Sequence, residues 1–314
     1  MLICLNGGLG NQIGNYIFAQ FLMEKGIECK IIASNNVGDY REVVIHKLGV
    51  ELDIAEHFDI ERFIKLKTSP LLLFNLFTKN IFDKIWRNNL WNFLKRIRSR
   101  YNIYPKKTPS FLSKLVTHKD VLKYGLKDGA ICDCYSPIEE FNDEDFKNKM
   151  RGILFSRESE LLADSKNASV LEKIKSVKNP VGVHIRRGDF INFKIPVVKS
   201  EFILDKMKYM NESLDGVHFF IFSNGMDWVK ENIKGFNNID FVDVNDEETG
   251  YLDFLLFDKC KHRIYSNSTF SLWIRYFNPY RKGFKNNEAS SIEFYPKRSD
   301  MQLESLQNTE GSGL

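Results

Sequence analysis

The residues with the most chemistry in this chain stand where apolar runs break. His184-Ile185-Arg186-Arg187-Gly188-Asp189 closes the run Val181-Gly182-Val183. Strand alternation puts His184 and Arg186 on one side and Ile185 on the other. Two arginines at the end of a buried strand are costly without an anion to meet them. A guanidinium suits a pyrophosphate, because its planar fork offers paired donors. The competing reading is a structural ion pair between an arginine and Asp189 or another acid. A lone histidine is usually structural, and here it gains interest by sharing a face with Arg186.

Two further groups have the same placement. Gly7-Gly8-Leu9-Gly10-Asn11-Gln12 follows Leu2 to Leu5 and precedes a helical pattern. Glycines there let the backbone approach a phosphate, and a helix N-terminus supplies N–H groups and positive potential. Asn11 and Gln12 add amide donors. The spacing is neither GxGxxG nor a P-loop, and a tight turn made for packing is the alternative. Asn267-Ser268-Thr269 follows Arg263 to Tyr265 and also opens a helix. Such residues are helix caps first, and the same N–H groups bind phosphate oxygens. All three groups lie at a strand end before a helix, and together they describe a nucleotide-diphosphate site.

The elements that must hold these residues read as alternating strands and helices. Leu2 to Leu5 is a strand, Asn15 to Lys25 a helix ended by Gly26, and Cys29 to Ala33 a strand. Ile131 to Tyr135 is a further strand. Helices are expected over Phe141 to Phe155 and Glu158 to Lys175. The second series has strands at Val181 to Ile185, Val217 to Phe222, Ile239 to Val242 and Arg263 to Tyr265. Its helices are Lys199 to Asn211, Met226 to Lys234, Tyr251 to Cys260 and Thr269 to Phe277. Alternation of this kind predicts mostly parallel sheets in an α/β fold. The expected domains are 1–150, with a basic helical insertion at about 60–107, and 151–298. A polar, aperiodic tail, 299–314, is expected to be disordered.

In order, Gly7 to Gln12, His184 to Asp189, Phe219-Phe220-Ile221-Phe222-Ser223-Asn224, Asp253-Phe254-Leu255-Leu256, Cys260-Lys261-His262 and Asn267-Ser268-Thr269-Phe270-Ser271-Leu272-Trp273 match the pattern of the α-1,2-fucosyltransferases. The chain resembles that family, glycosyltransferase family 11, over about 3–280 without the segment 60–107. The resemblance implies a GT-B-like arrangement of two Rossmann-like, doubly wound domains facing a cleft. It implies inverting transfer of L-fucose from GDP-fucose to the 2-OH of a terminal galactose, with no metal or other cofactor. Arg186 would contact the donor pyrophosphate and His184 the ribose or β-phosphate. Asn11 would reach the β-phosphate or fucose, and Ser268 and Thr269 would hold phosphate oxygens. Gly8, Gly10, Gln12, Ser223, Asp227 and Asn267 complete the expected donor site. Arg186, His184, Asp189 and Asn11 are the expected catalytic set, with His184, Asp189 and Asp227 as candidate bases. The family often has two acids after the serine that ends its third strand. Here Asn224 and Gly225 follow Ser223, and Asp227 comes later. Ile274 replaces the second tryptophan of a pair.

Composition narrows the remaining classes. The 314 residues are 43% hydrophobic and 27% charged, with net charge +4, which is ordinary for a globular protein and no footprint of nucleic-acid binding. From Glu61 to Lys107, 12 Lys or Arg face 2 acids. This basic, aromatic stretch reads as an amphipathic helical pair on the first domain. Its functional alternative is contact with an anionic membrane surface that carries lipid-linked acceptors. Five scattered cysteines fit a reducing compartment better than a disulfide framework. The start of the chain has no basic n-region, so the expected location is the cytoplasm or the inner face of the cytoplasmic membrane, with a role in O-antigen or surface-glycan synthesis. Two alternatives stay open: a fucosyltransferase of other linkage, such as α-1,6-like, and a non-catalytic nucleotide-sugar-binding protein. A P-loop sulfotransferase is disfavoured by the missing Gly-Lys-Ser/Thr.

Overall fold

A computed structural model describes residues 1–33, 42–55, 117–126, 130–131, 133–280 and 291–304. The segment 60–107, with both of its readings, lies outside the described residues. The chain divides into two compact units, Met1–Leu154 and Phe155–Leu314. Both are α/β with parallel sheets.

In the first unit, β1 (Leu2–Leu5) runs between β2 (Lys30–Ala33) and β3 (Ala130–Ile131), all parallel. All four residues of β1 are buried, as expected for the middle strand of a parallel sheet covered on both faces. β3 is shorter than the expected run to Tyr135. Helix α1 (Leu9–Glu24) starts six residues before the sequence pattern places it, inside the glycine-rich turn. Glycine's low helix propensity hides that start, and burial of Leu9, Ile13, Tyr16, Ile17 and Phe18 outweighs it. Gly14 has a packing reason: a Cβ there would lie 2.1 Å from the Cys134 carbonyl oxygen. Among the described residues two α-helices follow in the first unit, α2 (His118–Tyr124) and α3 (Glu144–Leu154). A capping box of Thr117 and Asp120 starts α2.

The second unit opens with α4 (Glu158–Leu161) and α5 (Ser165–Ser176). The sequence pattern predicts one helix here. The Asp164 carboxylate instead accepts the N–H groups of Lys166 and Asn167 and starts a new helix. The main sheet runs β7-β6-β4-β8-β9, all parallel. Its strands are β4 (Asn179–Ile185), β6 (Val217–Ser223), β7 (Ile239–Val242), β8 (His262–Ile264) and β9 (Glu293–Phe294). Between them lie α6 (Gly188–Asn192), α7 (Ser200–Ser213), α8 (Met226–Asn232), α9 (Gly250–Asp258) and α10 (Thr269–Tyr276).

β4 is the middle strand and buries all seven residues. Its register aligns Val183 with Ile221 on one neighbour and Ile264 on the other. Val181, Val183 and Ile185 join Phe219, Ile221, Ile203, Met207 and Val229 in one core. Gly182, out of phase with them, admits the α9 end: a Cβ would stand 3.0 Å from both Cys260 and Phe257.

The expected disorder from 299 onward is corrected for 299–304. Strand β10 (Met301–Gln302) pairs antiparallel with β5 (Val197–Val198). The Lys199 N–H donates to the Asp300 carbonyl, and its Nζ donates to that of Ser299. Two-residue strands leave no readable period, which is why the polar sequence misled. Residues 305–314 lie outside the description. Among the described residues no helix is long and apolar enough to cross a membrane. Cys4, Cys29, Cys134 and Cys260 are buried and unbonded.

Candidate functional site

The carboxyl end of β4 delivers a turn built by two loops, those after β4 and β6. Arg186 and Asp189 pair at 2.8 Å, both partly exposed, and the Arg186 guanidinium lies 5.8 Å from the Phe190 ring centre. Asn224, just past β6, joins the loops. Its Oδ1 accepts the Arg187 N–H at 2.9 Å, and its Nδ2 donates to Asp189 Oδ1 at 3.2 Å. The loops nest because two residues lack side chains. A Cβ on Gly188 would fall 2.5 Å from Asn224 Nδ2, and one on Gly225 would fall 3.1 Å from Arg187 Cβ.

The two arginines part company. Arg187 is 3% exposed. Its guanidinium lies 3.4 Å from the Trp228 ring centre and forks onto the Glu304 carboxylate, with one arm at 3.2 Å and the other shorter. Such a fork is the strong form of the arginine–carboxylate pair. Burial opposes ionisation of Glu304, while hydrogen bonds from Arg187 and Gln302 and the Arg187 charge outweigh it and hold the carboxyl below its usual range. Of the pair, Arg186 is the more exposed.

His184 lies on the opposite face of β4 from Ile185. It is buried, stacks on Phe270 at 4.7 Å and meets Phe257 edge-on. Its Nδ1 is 2.8 Å from Ser271 Oγ and 2.9 Å from Ser266 Oγ. Burial, then the charge of Arg186, pushes its pKa down to about 3. The ring is therefore neutral at working pH, and its basicity is too low for an efficient proton acceptor. Ser268 caps α10 by accepting the Ser271 N–H, as its alternative reading holds. Thr269 opens the helix. Asn267 donates to the Pro196 carbonyl, and its buried Oδ1 has no partner among the described residues.

The turn in the first unit differs. Gly8 is the helix N-cap and its carbonyl accepts the N–H groups of Asn11 and Gln12. Gly10 is buried in the first turn. Gln12, expected as a donor to the ligand, is bonded within the fold. Its Nε2 donates to the carbonyls of Gly7 and Glu42, and its Oε1 accepts from Val44 and Ile45 N–H. All four of its hydrogen-bonding positions are used inside the fold. Asn15 is also fully buried, held by Cys4, Asn6 and Cys134. Asn11 remains half-buried, folded over Gly7.

The second unit thus brings together Arg186, Asp189 and the Asn224 loop, with His184 beside Ser266, Ser268 and Ser271. Ser223 turns inward to accept the Gly225 N–H, and Asp227 is exposed on α8. The sequence model of glycosyl transferase family 11 matches residues 63–287, a span that includes Arg186 to Asp189 and Asn267 to Thr269 but not Gly7 to Gln12. The chain belongs to glycosyl transferase family 11.

This family 11 protein is 28% identical over 149 residues to the alpha-1,2-colitosyltransferase of Escherichia coli, which is 42% of this chain and 50% of that one. It is 34% identical over 102 residues to galactoside alpha-(1,2)-fucosyltransferase 1 of Homo sapiens, 31% of this chain and 28% of the human one. The matches span half or less of these curated relatives. Among solved structures, fucosyltransferase NodZ from Bradyrhizobium aligns over 97% of both chains at 15% identity with a TM-score of 0.45. POFUT1 in complex with GDP-fucose aligns over 93% of this chain and 96% of that one, at 13% identity and a TM-score of 0.43.

Sequence reasoning passed over several residues at this family 11 site. Asn224 stood out only as a departure from the expected acids, and the structure makes it the clasp between loops. Trp228 and Glu304 carried no local signal. Asp253, on α9, accepts from Asn245 Nδ2 at 2.7 Å, and Asn245 exchanges two amide hydrogen bonds with Asn167. Burial first, opposed by the Asn245 bond and reinforced by Asp243 and Asp246, pushes its pKa up to about 7.

Proposed function

We propose that this protein is an inverting, metal-independent glycosyltransferase that moves L-fucose from GDP-fucose to the 2-OH of a terminal galactose. The observation that carries the reading is Arg186, held partly exposed by Asp189 at the carboxyl end of the central strand of a family 11 protein. Ligands of open α/β sheets bind at such strand ends.

Transfer is one in-line displacement at the anomeric carbon, and GDP departs with its negative charge. Arg186 leaves Asp189 to neutralise the leaving pyrophosphate, and the first N–H groups of α10 add their dipole. With this charge placed, a divalent cation has no required task. His184 stays neutral and orients the turn; it does not take the acceptor proton. Asp189, released as Arg186 swings to the phosphate, and Asp227 are the remaining candidate bases. An oxocarbenium-like transition state demands little from either.

The galactoside linkage follows the names of the sequence relatives. Colitose is fucose without its 3-hydroxyl, so the colitosyltransferase match favours one second reading, in which GDP-colitose is the donor. O-antigen or surface-glycan synthesis, with a lipid-linked acceptor, is the proposed setting.

The test is acceptor-dependent GDP release from GDP-fucose and from GDP-colitose, with and without EDTA. The acceptors are lactose, Galβ1-3GalNAc and Galβ1-4GlcNAc. Release from GDP-fucose that survives EDTA and yields a 2-linked product is the expected result. Release from GDP-colitose alone moves the donor to the second reading. Release with neither donor, or release only with added metal, overturns the proposal.

A further inference from the structure

We infer that Glu304, at the end of the C-terminal strand, is a positioning residue for Arg186. This rests on the proposed function only where donor kinetics are concerned.

The argument is a chain of contacts. Strand β10 is fixed to β5 by its ladder, and Lys199 holds the turn before it. That brings Glu304 onto the Arg187 guanidinium, which Trp228 covers from its other side. Arg187 is thereby anchored by its side chain and, through its backbone N–H, by Asn224. Asn224 in turn donates to Asp189, the carboxylate that holds Arg186. Every link is a charged or charge-assisted contact or a hydrogen bond of ordinary length, and the two end links are among the least exposed ion pairs described in the unit.

The chemistry of the adjacent arginines makes the arrangement necessary. Either guanidinium could pair with Asp189 or turn to a pyrophosphate. A site that must present one defined fork has to remove the other. Glu304 does this by giving the buried Arg187 a partly buried counter-charge 117 residues away in sequence. An unpaired Arg187 would be driven from its pocket. It would then compete for Asp189 and loosen Arg186. The C-terminal segment thus takes part in anion binding without touching the anion.

The experiment compares the full chain with Glu304→Gln and Glu304→Asp. The first readout needs no substrate: phenylglyoxal labelling of individual arginines, mapped by mass spectrometry. Glu304→Gln is expected to raise labelling of both Arg187 and Arg186, with Arg151 and Arg157 unchanged. Glu304→Asp, which keeps the charge, is expected to restore protection at Arg186. The second readout is donor kinetics. The KM for the nucleotide sugar should rise about tenfold in Glu304→Gln, the scale of one charge-assisted hydrogen bond, with kcat reduced less. Thermal melting of each variant reports folding separately. Labelling that rises at Arg187 alone, in a variant that still melts cooperatively, overturns the inference and leaves Glu304 as a fold-stabilising contact. A variant that melts without cooperativity transfers the decision to Glu304→Asp, where unprotected Arg186 despite the retained charge also overturns it. If Arg186 labelling responds as expected while the unaltered protein turns over no GDP-sugar, the positioning role stands and the proposed function falls.

Discussion

The two glycine-containing turns, Gly7 to Gln12 and Arg186 to Asp189, look alike in outline and do different work. Each leaves a buried parallel strand and enters a helix. In the first, the polar side chains turn inward. Gln12 spends all four of its hydrogen-bonding positions on the chain, and Asn15 is sealed. In the second, one arginine is buried on Glu304 and its neighbour stays accessible beside Asp189. A strand–glycine–helix turn is therefore a place where an anion site can form. Whether it becomes one depends on where the charge is left.

Substitutions sharpen this contrast. The largest effect is expected at the second turn: Arg186→Ala should lower the turnover of GDP-sugar by ~10²–10³, the cost of losing one transition-state donor. Cooperative melting should be retained. A fall of less than tenfold would break the comparison at its charged end. Gln12→Leu should do the reverse. It strands two carbonyls and two N–H groups and should cost about 2–4 kcal/mol of stability, read by urea unfolding, while donor KM holds. Lost turnover at unchanged stability would mean that Gln12 reaches a ligand, and the first turn would be a site as well.

A pH-dependent effect concerns Asp253. Its folded pKa is pushed up to about 7, above the usual carboxyl value near 4. The folded state therefore holds a proton that the unfolded state releases. Stability from this group is greatest below the unfolded value and is lost as pH rises from about 4 to about 7. Asp253→Asn keeps an acceptor for Asn245 and removes the titration. The variant should melt higher than the parent at pH 8, with the gap closing toward pH 4. A gap that does not change with pH would show that Asp253 does not titrate in this window.

The main strands of the second unit were legible because Val181 to Ile185 and Phe219 to Phe222 are continuous apolar runs, as a doubly covered parallel sheet requires. The alternation that sets His184 against Ile185 was legible too. The start of α1 was not, since glycines mask a helix that tertiary burial enforces. Nor was the break at Asp164, where a cap interrupts a continuous helical period. At the candidate site, the ion pair of Arg186 with Asp189 was legible as the structural alternative for an arginine at a strand end. The internal bonds of Gln12 were not, because an amide next to glycines looks the same whether it faces a ligand or the chain. Asn224 and Glu304 were beyond local pattern: one acts through a close approach to Gly188, the other through a contact that spans most of the second unit.

That last contact also orders events during synthesis. A chain emerging from the ribosome displays Arg187 long before Glu304 exists. The sheet from β4 to β8 can assemble while the guanidinium still lacks its counter-charge. The turn around Arg186 is therefore completed last, when residues 301–304 close onto β5. Nascent chains halted before that point would have a largely formed second unit and an unfinished anion site.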